Sequence, residues 1–173
     1  MVPDFFVIGA YRCGTTGLYR TLSQHPGVFL PPFKEPNFFA VDGNPDAGTD
    51  LHARSITTPQ AYDDLFRRAA AGQRTGDISP EYLRNPWAPH RLRQVAPDAP
   101  LVAVLRDPVT RAWSDFLMHV RDGDESCRTI TEVVEASGST ETGRASDYLG
   151  SGRYGEQLAR YLRYFPREQI QIH

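Results

Sequence analysis

Cysteine is nearly absent from this chain. Of 173 residues only Cys13 and Cys127 are cysteine, too few for a disulfide framework or a four-ligand zinc site, so no metal is expected as a structural element. Long apolar runs are missing too: none exceeds about six residues, far short of a membrane span. The opening Met1-Val2-Pro3-Asp4 has no basic stretch leading into a signal core, and the expectation is a cytoplasmic protein without a membrane span. Charge of one sign is also lacking. With 19 basic against 21 acidic side chains and a pI near 6.2, there is no overall positive field to hold nucleic acid by its phosphates, and no nucleic-acid partner is expected. The scarcest charged type is lysine: 18 of the 19 basic residues are arginine, and Lys34 is the only lysine.

What is present suffices for one core. A chain of this length with 40% apolar residues reads as a single domain over residues 1–173. Phe5-Phe6-Val7-Ile8, stopped by Gly9, predicts a buried parallel strand. Thr15 to Gln24, with Leu18 and Leu22 four apart, predicts a helix after it. Val28 to Leu30 reads as a brief strand, and Lys34 to Thr57, rich in Pro, Gly, Asn and Asp, as a long loop of the kind that carries function. Thr58-Pro59 would cap a helix running to about Ala71. Arg74 to Ile78 predicts a third strand, Trp87 to Val95 a helix, and the apolar Leu101 to Leu105 a strand at the sheet centre.

From Pro108 onward, Val109, Ala112, Trp113, Phe116, Leu117 and Val120 recur at helical spacing, predicting a helix that lays this stripe on the sheet. Residues 121–128 and 137–147 read as polar connections around a short helix at 130–136. Leu158, Tyr161, Leu162 and Phe165 form the expected buried face of a last helix, before Ile170-Gln171-Ile172 begins like a strand. Strands alternating with helices predict the α/β class, a three-layer α/β/α arrangement around a mainly parallel sheet. The chain stops inside its last strand, so the domain is expected to continue past His173 and to lack its carboxy-terminal part here.

Three segments carry chemistry. Gly9-Ala10-Tyr11-Arg12-Cys13-Gly14-Thr15-Thr16 has the glycine spacing and hydroxyl position of a phosphate-binding loop, but Thr15 stands where the Walker lysine belongs. The backbone N–H groups of such a loop and the positive end of the following helix form an anion site without that lysine. Arg106 leaves the carboxyl end of the predicted Leu101 strand, where open α/β sheets bind ligands, and Ser114 lies two turns into the next helix. Both could meet one phosphate. In Phe33-Lys34-Glu35-Pro36-Asn37-Phe38-Phe39 the adjacent phenylalanines need apolar cover, so this loop should fold back over the site and bring Lys34 and Glu35 with it. The chemistry of these segments alone leaves open a P-loop kinase or nucleotide hydrolase, with Thr15 or Thr16 and Asp107 on Mg²⁺, and a non-catalytic binding domain.

Together the segments resemble the sulfotransferases that use 3′-phosphoadenosine 5′-phosphosulfate (PAPS), in the branch of the bacterial and Golgi carbohydrate enzymes. Phe6 to Leu18 is similar to the family's 5′-phosphosulfate loop, and Val104 to Ser114 to its 3′-phosphate segment. Lys34 to Phe39 is similar to its Lys-Glu-Pro-His-Phe-Phe motif, with Asn37 in place of His, and Gly76 to Leu83 to the segment lining its acceptor site. The resemblance implies transfer of a sulfuryl group to a hydroxyl or amine of a carbohydrate, lipid or small-molecule acceptor, with PAPS as co-substrate and no metal. It implies catalytic roles for Glu35 as general base and for Arg12 and Lys34. Arg12, Cys13, Gly14, Thr15 and Thr16 would bind the 5′-phosphosulfate, and Arg106 and Ser114 the 3′-phosphate. Arg12 stands where the family often has lysine, which keeps the charge but gives up no proton. Asp77, expected just past the third strand, is the next candidate base.

Overall fold

The run Phe5-Phe6-Val7-Ile8 has apolar side chains on both faces, which a strand tolerates only between two covered sides, and that is where it lies. In the computed structural model, which describes residues 2–137 and 146–173, β1 (Phe5–Gly9) is the middle strand of a five-stranded parallel sheet ordered β2-β3-β1-β4-β5. The other strands are β2 (Val28–Phe29), β3 (Arg74–Ile78), β4 (Leu101–Ala103) and β5 (Ile170–Ile172). The Leu101 strand was expected at the centre; it lies beside it, between β1 and the edge strand β5. The sheet, with helices flanking it, is the expected α/β architecture.

The helices are α1 (Thr15–Leu22), α2 (Phe38–Val41), α3 (Thr49–Ala53), α4 (Pro59–Asp64), α5 (Glu81–Arg84), α6 (Ala88–Val95), α7 (Pro108–Asp122), α8 (Ile130–Ser137) and α9 (Tyr154–Leu162). A single helical turn at Ser146–Gly150 precedes α9. Most of the polar connection expected at 137–147 lies outside the described residues. The stretch 34–57, expected as one loop, contains α2 and α3. All four α2 residues are buried, so it is tertiary burial that makes this short run helical, with no period to announce it. The helix opened by Thr58, whose side chain accepts from the Ala61 N–H as expected of a cap, ends at Asp64. Beyond it, three-residue turns (Leu65 N–H to Tyr62 O, Phe66 N–H to Asp63 O) swing Phe66 into the core against Tyr62, ring centroids 5.4 Å apart.

One expectation fails in an instructive way. The apolar stripe of α7 does not pack on the sheet: Val109 is 73% exposed, and Trp113, Leu117 and Val120 are roughly half exposed. Of the stripe, Ala112 and Phe116 are buried, and they share the buried face with Arg111 and Asp115. Arg111, fully buried, pairs with Asp115 at 3.0 Å one turn on and donates to the Tyr148 carbonyl. An internally paired guanidinium and carboxylate can enter the interior where a lone charge cannot. Phe116 and Ala112 then pack with Val133 and Tyr148 in a small second core.

This inverted burial predicts the ranking of two substitutions. Phe116→Ala should destabilise the protein by about 3–5 kcal/mol, whereas Val109→Gln should stay within about 0.5 kcal/mol of wild type. Urea unfolding read by circular dichroism checks it, and comparable losses at both positions would contradict the assigned faces.

Candidate active site

The site begins where β1 and β4 diverge. Val104 N–H donates to Gly9 O and Ala10 N–H to Val104 O, both at 2.8 Å, so the two chains stay paired to the point where each turns away. One runs on into the loop 10–14, the other into Arg106. This is the crevice at the carboxyl ends of adjacent strands whose onward connections leave to opposite flanks of the sheet. Gly14 adopts φ 90°, open to glycine, and starts α1 with no side-chain cap. The first-turn N–H groups of Thr15, Thr16 and Gly17 therefore have no intrahelical acceptor and carry the positive end of the helix dipole.

A cleft of about 370 Å³ opens in front of this helix end, lined by Tyr11, Arg12, Gly14, Thr15, Thr16, Glu35, Pro80, Ser114 and Met118. Arg12, Gly14, Thr15, Thr16, Glu35 and Ser114 are thus brought to one place from three separate stretches of chain. The Arg12 guanidinium donates to Ser114 Oγ from Nη2 at 3.0 Å and from Nε at 3.3 Å, and its Nη1 lies 3.3 Å from Met118 Sδ. Ser114 thus contacts Arg12 in this structure rather than Arg106. The Arg106 side chain is exposed, with a 3.5 Å contact from Nη1 to the Arg12 carbonyl. Cys13 does not face the cleft; its thiol is buried against the Tyr154 hydroxyl at 3.5 Å. Lys34 lies on the far side of Glu35, beside Tyr19, Leu30 and Pro31, and pairs with the Glu35 carboxylate.

Among the described residues, three non-glycine residues hold positive φ, and all belong to this region: Arg12 at 61°, Glu35 at 59° and Asn37 at 52°. Left-handed backbone costs a side-chain-bearing residue about 1–3 kcal/mol and persists where surrounding contacts over-determine it. For the 34–39 segment those contacts are visible. Phe38 and Phe39 are buried against Tyr62, Phe6 and Tyr82. Ser79 Oγ accepts from Asn37 N–H at 3.1 Å, and Tyr82 Oη from Phe39 N–H at 3.4 Å.

Both hydroxyls in turn donate to Asp77, at 2.7 Å each, and Tyr62 donates to it at 2.8 Å. Asp77 was the second candidate base, expected beyond the strand. It lies within β3, wholly buried. Its carboxylate is saturated by protein hydroxyls and has no path to an acceptor, so its part is to hold the Glu35 segment. Burial pushes its pKa up to about 6, against the pull of its three hydroxyl donors, and Glu35 adds to the rise.

Sequence reasoning missed a second layer of the site, beside the first. Glu81, nearly buried, takes a two-pronged pair from Arg84 (3.0 and 3.1 Å) and another bond from Arg54 at 2.8 Å. Arg54 also donates to the Tyr11 hydroxyl at 2.7 Å, and Arg84 lies over the Tyr11 ring at 5.0 Å. Burial, with Glu81 adding to it, pushes the Tyr11 hydroxyl pKa up. Burial works to lower that of Arg84, but Glu81 outweighs it and the net shift is upward. Arg54 sits in the stretch read as a loop, and nothing in its spacing marks it. Tyr11 was in plain view, between Gly9 and Arg12. Four other aromatics that a sugar could stack on are engaged elsewhere: Tyr82 and Tyr148 are fully buried, Trp87 donates to the Asp42 carbonyl, and Tyr154 meets Cys13.

Sheet order, loop and cleft define an α/β protein with a P-loop-like strand-loop-helix that lacks the Walker lysine and faces a carboxylate across the cleft. Comparison with known proteins gives the family. The model described as "Sulfotransferase family" matches residues 3–164, and the chain belongs to that family. The human "Heparan sulfate glucosamine 3-O-sulfotransferase 3B1" is 31% identical over 171 residues, covering 98% of this chain and 40% of its own length. The human "Bifunctional heparan sulfate N-deacetylase/N-sulfotransferase 2" is 30% identical over 183 residues, 99% of this chain and 20% of its own length. Among solved structures, a sulfotransferase from Alicyclobacillus acidocaldarius matches with TM-score 0.86 at 34% identity, covering 99% of this chain and 72% of that one. The chain therefore spans less than half the length of these curated relatives.

The Asp77 geometry sets a pH dependence. Its carboxyl holds a proton more tightly folded (about 6) than at the ordinary 3.8, so the stability it contributes is full below pH 4 and is lost as pH rises through 6. Two pKa units amount to roughly 2–3 kcal/mol. Asp77→Asn, which cannot titrate, should gain on wild type by that amount between pH 4 and pH 7 in urea unfolding; a stability difference that does not vary with pH would contradict the assignment.

Proposed function

We propose that this protein moves a sulfuryl group from PAPS to a hydroxyl or amine of a carbohydrate acceptor. The observation that carries the reading is the convergence of the open helix end, the Arg12 guanidinium and the Glu35 carboxylate on one cleft. The site fits the 5′-phosphosulfate on its own chemistry, since α1 presents uncapped N–H groups and Arg12 makes neutral contacts to Ser114 and Met118. The relatives whose names say heparan sulfate support a carbohydrate.

In this reading Glu35 takes the proton of the attacking hydroxyl or amine as the acceptor atom bonds to sulfur and the bond from sulfur to the 5′-phosphate oxygen breaks. Arg12 and the N–H groups of Gly14, Thr15 and Thr16 stabilise the charge that gathers on the departing phosphate. Arginine does this as a fixed cation and leaves the proton accounting to Glu35. Lys34 neutralises Glu35 at rest and orients it. Arg106 and Ser114 hold the 3′-phosphate. Cys13 contributes only its backbone, its thiol being turned inward.

The test is calorimetry with adenosine 3′,5′-bisphosphate, ATP and ATP–Mg²⁺ in parallel. The bisphosphate should bind tightest and without Mg²⁺; a preference for ATP–Mg²⁺ would overturn the reading in favour of a kinase or hydrolase.

Arg106→Ala should weaken the bisphosphate by about 1.5–3 kcal/mol, the value of charge-assisted bonds, and leave adenosine 5′-phosphate almost untouched. Equal weakening of both ligands would refute the assignment of Arg106 to the 3′-phosphate. Glu35→Gln should lower transfer about 10²–10⁴-fold with bisphosphate affinity unchanged. Full turnover in this variant would move the base elsewhere.

A further inference from the structure

The cleft does not end at Tyr11. The same ring walls a second cleft of about 530 Å³ that also exposes Arg54 and His119, and two residues of that second cleft, Arg84 and Asp147, wall a third of about 450 Å³. Three compartments thus run in series from Glu35 to the side of α9. The third has a built floor. Gln157 is 4% exposed; its Nε2 donates to the Gly150 carbonyl at 3.1 Å, and its buried Oε1 has no hydrogen-bond partner. A buried acceptor left without a donor is costly and uncommon, and it calls for a group from outside the fold.

The charges around that floor say what kind of group. Glu81, Asp147 and Glu156 face Arg84, Arg153 and Arg160, three carboxylates against three guanidiniums. Arg84 is engaged by Glu81 and Asp147, and Arg153 lies 3.9 Å from Glu156. Arg160 donates to the Leu83 and Arg84 carbonyls, so by count the lining carries no excess of positive charge for a polyanion, and an anion there would also meet the acids. A unit with many hydroxyls matches such a wall: it donates to Gln157 Oε1 and to the carboxylates and accepts from the arginines.

We propose that this third compartment is a distal acceptor subsite for an uncharged, hydroxyl-rich sugar unit, reached past Tyr11 by an oligosaccharide whose modified end lies at Glu35. The proposal rests on the reading of the near cleft as the transfer site. It sets the acceptor class of this chain as a neutral oligosaccharide rather than a polyanion.

The test is calorimetry on the whole chain with N-acetylated chito-oligosaccharides, a dimer and a pentamer, with adenosine 3′,5′-bisphosphate measured alongside. Wild type should bind the pentamer at least about tenfold more tightly than the dimer, the scale of one or two hydrogen bonds. Gln157→Met should erase that gain and leave the dimer and the bisphosphate unchanged. No gain with length in wild type, or the same gain in the variant, would overturn the subsite. Because Gln157→Met could disturb α9, a second variant uses the rim: the Glu156 side chain is 68% exposed. Glu156→Arg should raise affinity for a uronic-acid pentamer of equal length, which wild type should bind more weakly than the neutral one. A wild-type preference for the uronic-acid pentamer would overturn the proposal. Loss of bisphosphate binding with the length effect intact would instead count against the transfer reading and keep the subsite.

Discussion

A carboxylate with no access to water holds the site in place. Asp77, inside β3, accepts from Tyr62, Ser79 and Tyr82, and two of those hydroxyls accept in turn from the backbone N–H groups of Asn37 and Phe39. Burying a charge is unfavourable unless every lone pair is met. The fold meets this one by bringing α4, β3, α5 and the 34–39 segment to a single point. That requirement fixes where Glu35 stands: two residues before Asn37, over the loop that leaves the neighbouring strand β1. The left-handed backbone at Glu35 and Asn37 persists because this node and the buried phenylalanines leave no room to relax.

Much of this was legible in the sequence, for specific reasons. Apolar runs bounded by Gly and Pro located β1 and β4, and the glycine spacing from Gly9 to Gly14 located the loop between β1 and α1 that lines the cleft. The paired phenylalanines correctly signalled that Glu35 would be carried back to the cleft. Other features were hidden because their cause is tertiary. The period of α7 was real, yet four of the six stripe residues face outward, since an Arg111–Asp115 pair one turn apart can satisfy itself in the interior beside Ala112 and Phe116. Asp77 looked like a spare base because a sequence shows an acid but not the hydroxyls that will surround it. Arg54 sits in a stretch without period and reaches Tyr11 and Glu81 only once the chain is folded.

The chemistry follows from how charge is distributed between the two layers. In the near cleft the Arg12 guanidinium stands beside the open N–H groups of α1, and Glu35 is the one carboxylate among its lining residues. In the next layer Glu81 draws Arg54 and Arg84 together around Tyr11. Their positive charge is spent on Glu81 and on the ring, and it does not add to the anion-binding field. The result is a near cleft with a guanidinium and an open helix end beside a second layer whose arginines are already engaged. On the proposed reading this arrangement carries out group transfer by positioning and electrostatic stabilisation.

The most direct test of that claim is transfer itself. The purified chain is incubated with PAPS carrying a radiolabelled sulfuryl group and a neutral chito-oligosaccharide, and the sugar is recovered and counted. The account predicts label on the sugar in wild type and its loss when Arg12 is changed to Ala. Label on the sugar at the same rate in wild type and Arg12→Ala would contradict it.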